Sequence, residues 1–127
     1  MGGKKTPQKL LTETELEMMR VLWARNGGTV HDVIEGLAAT RKLAYTSVST
    51  ILRILEQKGI LESRKDGRGH VYVPKLEKKE YERRSLDHIV QNVFEGEPLQ
   101  LVSRLLELKG LDEKEIEELR ALLAKGK

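Results

Sequence analysis

Thr46, Ser47, Ser49, Thr50 and Arg53 fall on one side of a stretch whose other side is Val48, Ile51, Leu52 and Leu55. The apolar set recurs at i, i+3, i+4 and i+7, the period of an amphipathic helix. Its polar side carries no acid before Glu56, although 34% of the chain is charged. A solvated helix in such a chain is expected to show Glu and Lys there, because they favour helix while Ser and Thr do not. Short hydroxyls donate and accept towards base edges, and they leave a helix slim enough for a major groove about 12 Å wide. The positive helix start near Tyr45 and Thr46 suits a phosphate, and Arg53 suits backbone or a guanine edge. Taken alone, the same face could be a neutral surface, so its neighbours in the chain decide.

Gly59 stops this helix, and a basic hairpin follows at once. Ile60 to Arg64 and His70 to Val73 are short strand-like runs around the turn-forming Lys65-Asp66-Gly67-Arg68-Gly69. The tip gathers Arg64, Lys65 and Arg68, with His70 beside them. An Arg-Lys turn is usually only solvated, and its place after a recognition-like helix is what makes these groups candidate phosphate ligands.

Two helices must hold this pair in place. The first is expected to begin at Thr12, because Thr12 and Glu15 have capping-box spacing and Leu11 and Leu16 can staple across that end. Leu16, Met19 and Trp23 mark one face, and Asn26-Gly27-Gly28 ends the run. Thr29 with Asp32 starts a short second helix through Val30, Val33, Ile34 and Leu37, followed by a break at residues 40–44. The order of helix, short helix, slim helix and basic hairpin predicts a mainly α fold, a winged helix-turn-helix over residues 12–75 after a flexible tail at 1–11.

Residues 76–127 form a second segment of opposite charge. Residues 1–75 hold 13 Lys or Arg against 8 Asp or Glu, a balance of +5, and residues 76–127 hold 10 against 12, a balance of −2. Three helices are expected here, carrying Leu86, Ile89, Val90 and Val93, then Leu99, Val102, Leu105 and Leu106, then Ile116, Leu119, Leu122 and Leu123. Packing back into one globule is the plain alternative, but these stripes offer more apolar surface than a small winged-helix core needs, so the segment is assigned to homodimerisation. A two-fold dimer matches a pseudo-palindromic duplex site.

Other chemistries find little support. The chain has no cysteine, which removes disulfides, thiolate catalysis and cysteine-ligated metals. His31, His70 and His88 sit on separate elements without ligand spacing, so no metal or other cofactor is expected. Asp87 and His88 are adjacent, and adjacent side chains on a helix point about 100° apart, so they make a poor catalytic dyad. With no nucleophile elbow, phosphate loop or carboxylate pair, no catalytic residue is assigned. No apolar run reaches the roughly 18 residues of a membrane span, and MGGKKTPQ lacks the apolar core of a signal peptide, so a cytoplasmic location is expected. A winged helix that docks protein instead of DNA is the competing reading.

Four segments, LTETELEMMRVLW, TVHDVIEGLA, AYTSVSTILRILEQKGILESRKDGRGHVYVP and LDEKEIEELRALL, carry a resemblance. From Thr12 to about Lys125 the sequence resembles the penicillinase and methicillin-resistance repressors of bacteria. The resemblance implies a winged-helix dimer with intertwined C-terminal helices, bound to a palindromic operator and released when a sensor protease cuts the C-terminal part. It maps recognition contacts onto Thr46, Ser47, Ser49 and Thr50, and the wing onto Arg64 to His70. Three departures qualify it. Cleavable relatives carry Asn-Phe where this chain has Arg104-Leu105, which argues against control by the same protease. Copper-responsive relatives use a cysteine-rich tail that is lacking here. Basic residues early in the recognition helix of some relatives are replaced by Thr46 and Ser49.

Overall fold

Reciprocal side-chain caps start three of the helices. Thr12 Oγ1 accepts from Glu15 N–H (3.1 Å) while Glu15 Oε1 accepts from Thr12 N–H (3.0 Å), opening α1 at Glu13–Arg25. Thr29 and Asp32 repeat the exchange for α2, Val30–Leu37, and Asp112 and Glu115 for α6, Glu113–Lys125. Each box satisfies amides that the first turn leaves without an intrahelical partner. The computed structural model describes residues 10–108 and 110–126. The tail expected at 1–11 therefore lies, up to residue 9, outside the described residues. Leu11 is held, since its N–H donates to the Tyr81 hydroxyl at 3.0 Å.

Between these caps run α3 (Tyr45–Gln57), β1 (Leu61–Asp66), β2 (Gly69–Pro74), α4 (Lys78–Asn92) and α5 (Pro98–Leu108). The strands form an antiparallel ribbon with Leu61 opposite Pro74 and Asp66 opposite Gly69. Its two-residue turn has Gly67 at φ 64°, the positive value that a tight hairpin turn of the II′ kind needs at its first central residue and that glycine adopts without strain. One contact has no sequence period to announce it. Gly28 N–H donates to Tyr72 O at 3.0 Å and Tyr72 N–H to Gly28 O at 2.8 Å, so β2 is paired on both edges.

The core is a set of side chains from α1, α2, α3 and the ribbon: Met18, Met19, Leu22, Val33, Leu37, Val48, Leu52, Leu55, Leu61 and Tyr72 among them. On α2 and α3 the expected faces are the buried ones, with Ile34 and Ile51 at the margin. On α1 the face differs from the expected Leu16, Met19 and Trp23. Glu15, Met18, Met19 and Leu22 are buried, at i, i+3, i+4 and i+7, while Leu16 and Trp23 are half-buried. A carboxylate at the first of these positions hides the period. Glu15 tolerates burial because Oε1 caps the helix and Oε2 accepts from Lys58 Nζ at 2.9 Å.

The chain divides into two compact units, Met1–Ser85 and Leu86–Lys127, ten residues beyond the boundary expected after Lys75. The start of α4 belongs with the first unit for a packing reason. Tyr81 lies with its ring centroid 5.9 Å from that of Trp23, and the Trp23 indole N–H donates to Leu76 O at 2.9 Å. In the second unit α4 ends on the left-handed residues Glu95 and Gly96, and Pro98 opens α5 at a first-turn position where its missing N–H costs nothing. Neither α5 nor α6 has a buried residue, and Leu99 and Leu108 are 75% and 83% exposed.

Candidate nucleic-acid interface

The apolar side of α3 anchors it through Val48, Leu52 and Leu55, so the opposite side faces outward by geometry. Thr46, Thr50 and Arg53 follow one another at helical spacing and are exposed, flanked by exposed Tyr45 and Ser47 and half-buried Ser49. The four hydroxyls and the Arg53 guanidinium make no hydrogen bond or ion pair with another residue among those described. Their donors and acceptors are thus available to an outside partner. The start of α3 differs from those of α1, α2 and α6: Ala44 is its N-cap and supplies no side-chain bond, leaving the first amides open at the positive end.

Packing fixes how α3 is presented. In the turn before it, Arg41 Nε lies 3.1 Å from Glu17 Oε1 and its Nη1 is 3.4 Å from Thr14 Oγ1, tying the turn to α1. At its far end, Ser63 Oγ donates to Glu56 Oε2 at 2.6 Å, tying β1 to the helix. The only acid on α3 is therefore engaged with the ribbon. Tyr72 lies beneath, where burial pushes its hydroxyl pKa up, the Glu56 carboxylate adds to the rise and Arg53 opposes it.

Arg64, Lys65, Arg68 and His70 are all exposed on the ribbon, but they do not form one cluster. Side chains alternate across a strand, so Lys65 and its cross-strand partner His70 share the face of Ser63 and Tyr72, the face that bonds α3. Arg64 shares the other face with Glu62, whose carboxylate lies 3.9 Å away. Arg68 occupies the turn. The cations on the recognition side are thus Lys65 and, when protonated, His70, with Arg68 at the tip.

One neighbour of this surface gave no signal in the sequence. His31, exposed in the first turn of α2, lies with its ring centroid 5.1 Å from that of Tyr45 at an interplanar angle of 50°. A contact across 14 positions on separate helices has no period to betray it. No group of His, Asp or Glu among the described residues could hold a metal ion, and no helix among them is long and apolar enough to cross a membrane. Arg104-Leu105 lies within α5 with both side chains exposed.

Comparison with known proteins bears on the same surface. The penicillinase repressor family matches residues 11–125. The penicillinase repressor of Bacillus licheniformis is 31% identical over 124 residues, 98% of this chain and 95% of that one. The methicillin resistance regulatory protein MecI of Mammaliicoccus sciuri is 25% identical over 115 residues, 91% of this chain and 94% of its own. Among solved structures, the DNA binding domain of the repressor BlaI matches with a TM-score of 0.51 and 34% identity, covering 62% of this chain and 94% of that domain. With a winged helix in the first unit, an open polar face on its third helix and a match spanning nearly all of its length, the chain belongs to the penicillinase repressor family, a family of DNA-binding transcriptional repressors rather than enzymes.

Proposed function

We propose that this repressor acts in the cytoplasm as a homodimer on a pseudo-palindromic operator, with α3 in the major groove and the ribbon on the flanking backbone. The observation that carries the reading is the face of Thr46, Ser47, Thr50 and Arg53, exposed and without a side-chain hydrogen bond or ion pair among the described residues, on a helix tied by Glu56 to a basic ribbon. Thr46, Ser47, Ser49 and Thr50 address base edges and nearby phosphates, and Arg53 a phosphate or a guanine. Tyr45, Lys65, Arg68 and His70 meet the backbone, and Arg64 reaches it only by leaving Glu62.

The dimer is supported by the second unit. Leu86, Val93, Leu99, Val102, Leu105, Leu106, Ile116 and Leu123 are exposed there, and Ile89, Val90 and Leu119 half-buried, so a single copy leaves its apolar stripes uncovered. A second copy covers them and sets two α3 helices a whole number of DNA turns apart. Selection of bound sequences from a random duplex pool tests both halves. Recovery of a spaced inverted repeat, bound more tightly than scrambled duplex at matched salt, is expected. Equal affinity for both duplexes overturns operator reading, and recovery of a single unrepeated motif overturns the two-fold arrangement.

A further inference from the structure

We propose that His31 is a further DNA-backbone contact, and that through it operator binding takes up a proton. The inference rests on the operator reading of α3. His31 belongs to α2, outside the recognition helix, yet its ring meets that of Tyr45, the first residue of α3, at a centroid distance of 5.1 Å. Both rings are exposed, Tyr45 at 50%. Neither the imidazole nitrogens nor the Tyr45 hydroxyl has a hydrogen-bond partner among the described residues. Two polar-tipped rings thus stand together beside the surface assigned to the duplex, with their polar atoms unused by the described residues.

The surroundings decide the sign of the effect. On α2 the neighbouring charges are Asp32 and, one turn on, Glu35. Arg25 of α1 engages both, at 3.4 Å from Asp32 Oδ1 and 3.4 Å from Glu35 Oε1. Asp32 is further occupied by the Thr29 N–H, whose hydrogen bond is the main cause holding its carboxyl below the ordinary value. From α3 the packed group is Tyr45. The acids near His31 are therefore engaged mainly by Thr29 and Arg25, with His31 the smallest of the influences on Asp32. A phosphate brought against the ring supplies an unpartnered negative charge. The bound state holds the proton more tightly than the free state, so affinity rises as pH falls through the range near neutrality where imidazoles titrate.

The test uses the full chain and the duplex it selects from a random pool, with affinity measured from pH 8 to pH 5.5 at fixed salt. If contact raises the imidazole pKa by about one unit, affinity per half-site gains about tenfold across that range. His70 on the ribbon is a second imidazole on the proposed interface, so each variant is also made with His70→Ala. His31→Phe keeps a ring against Tyr45 but cannot take a proton. It is expected to lose the gain at low pH, with an unchanged melting temperature. A parent whose affinity is flat with pH overturns the inference while leaving operator reading intact, as does a His31→Phe variant that keeps the full gain. Equal binding of selected and scrambled duplex at every pH overturns the operator reading and this inference with it.

Discussion

Ser47 and Arg68 are both exposed, but the forces they supply differ in range, and so will the failures of their variants. Ser47→Ala or Thr50→Ala is expected to cost about 1 kcal/mol on the operator and to relax preference at particular base pairs, since one directed hydrogen bond is lost. Arg68→Ala is expected to weaken every duplex alike and to reduce the salt slope of log affinity by about 1. Binding titrations on operator and scrambled duplex at several salt concentrations separate the two, and a pure preference change in Arg68→Ala removes its phosphate role. Glu15 makes a different prediction. Burial raises its pKa, but the Thr12 N–H and Lys58 outweigh that and hold the carboxyl below its ordinary 4.5. A lowered native pKa contributes stability above the unfolded value, which is lost as pH falls through the native one. Denaturant melts between pH 7 and pH 2 should show that acid-side loss, and Glu15→Gln should remove part of it while lowering stability at pH 7. The hydroxyl face was legible because composition along one helix is local. Glu15 with Lys58, 43 positions apart, was not, because only packing brings them together.

Among the elements, α1 and α2 meet tightly at Gly36. A Cβ built there would lie 2.6 Å from Val21 Cγ1, 2.9 Å from Cγ2 and 3.3 Å from Cβ. Valine is stiff about χ1 and cannot turn both methyls away, so the helices must part. Gly36→Ala, worth up to about 1 kcal/mol of gain in an open helix, should instead destabilise by about 1–3 kcal/mol. Calorimetry decides, and a raised melting temperature would show that the two helices can slide. Boundaries at this scale were readable wherever the signal was local. Thr12 with Glu15 and Thr29 with Asp32 each span three positions, and each box forms. The hairpin was readable from its glycines and alternating strands, though β1 runs on to Asp66 and the turn shrinks to two residues. The buried side of α1 was obscured by its carboxylate, and the Gly28 bridge by reading two glycines only as a helix stop.

At the scale of the molecule, charge and apolar surface are sorted along the chain. Residues 1–85 carry a balance of +6 and residues 86–127 one of −3. That charge draws a duplex to the first unit, and in the proposed dimer the second unit meets the apolar surface of its copy. Leu105, 52% exposed on α5, is a direct probe of that surface. Leu105→Glu is expected to keep the helical content and give a monomer in sedimentation, with operator affinity falling by more than tenfold as two linked half-sites become one. A variant that remains dimeric would move the interface away from this face of α5. The apolar stripes themselves were evident from periodicity, whereas the proposed second copy that covers them is something no period within one chain describes.

The double pairing of β2 has a consequence for how the repressor can be altered. Because Gly28 clamps Tyr72 from one edge while Ser63 lies across from it on the other, the ribbon's root is anchored independently of its tip. Extra residues spliced between Gly67 and Arg68 would lengthen the arm without loosening the base, so reach along the double helix becomes adjustable separately from stability.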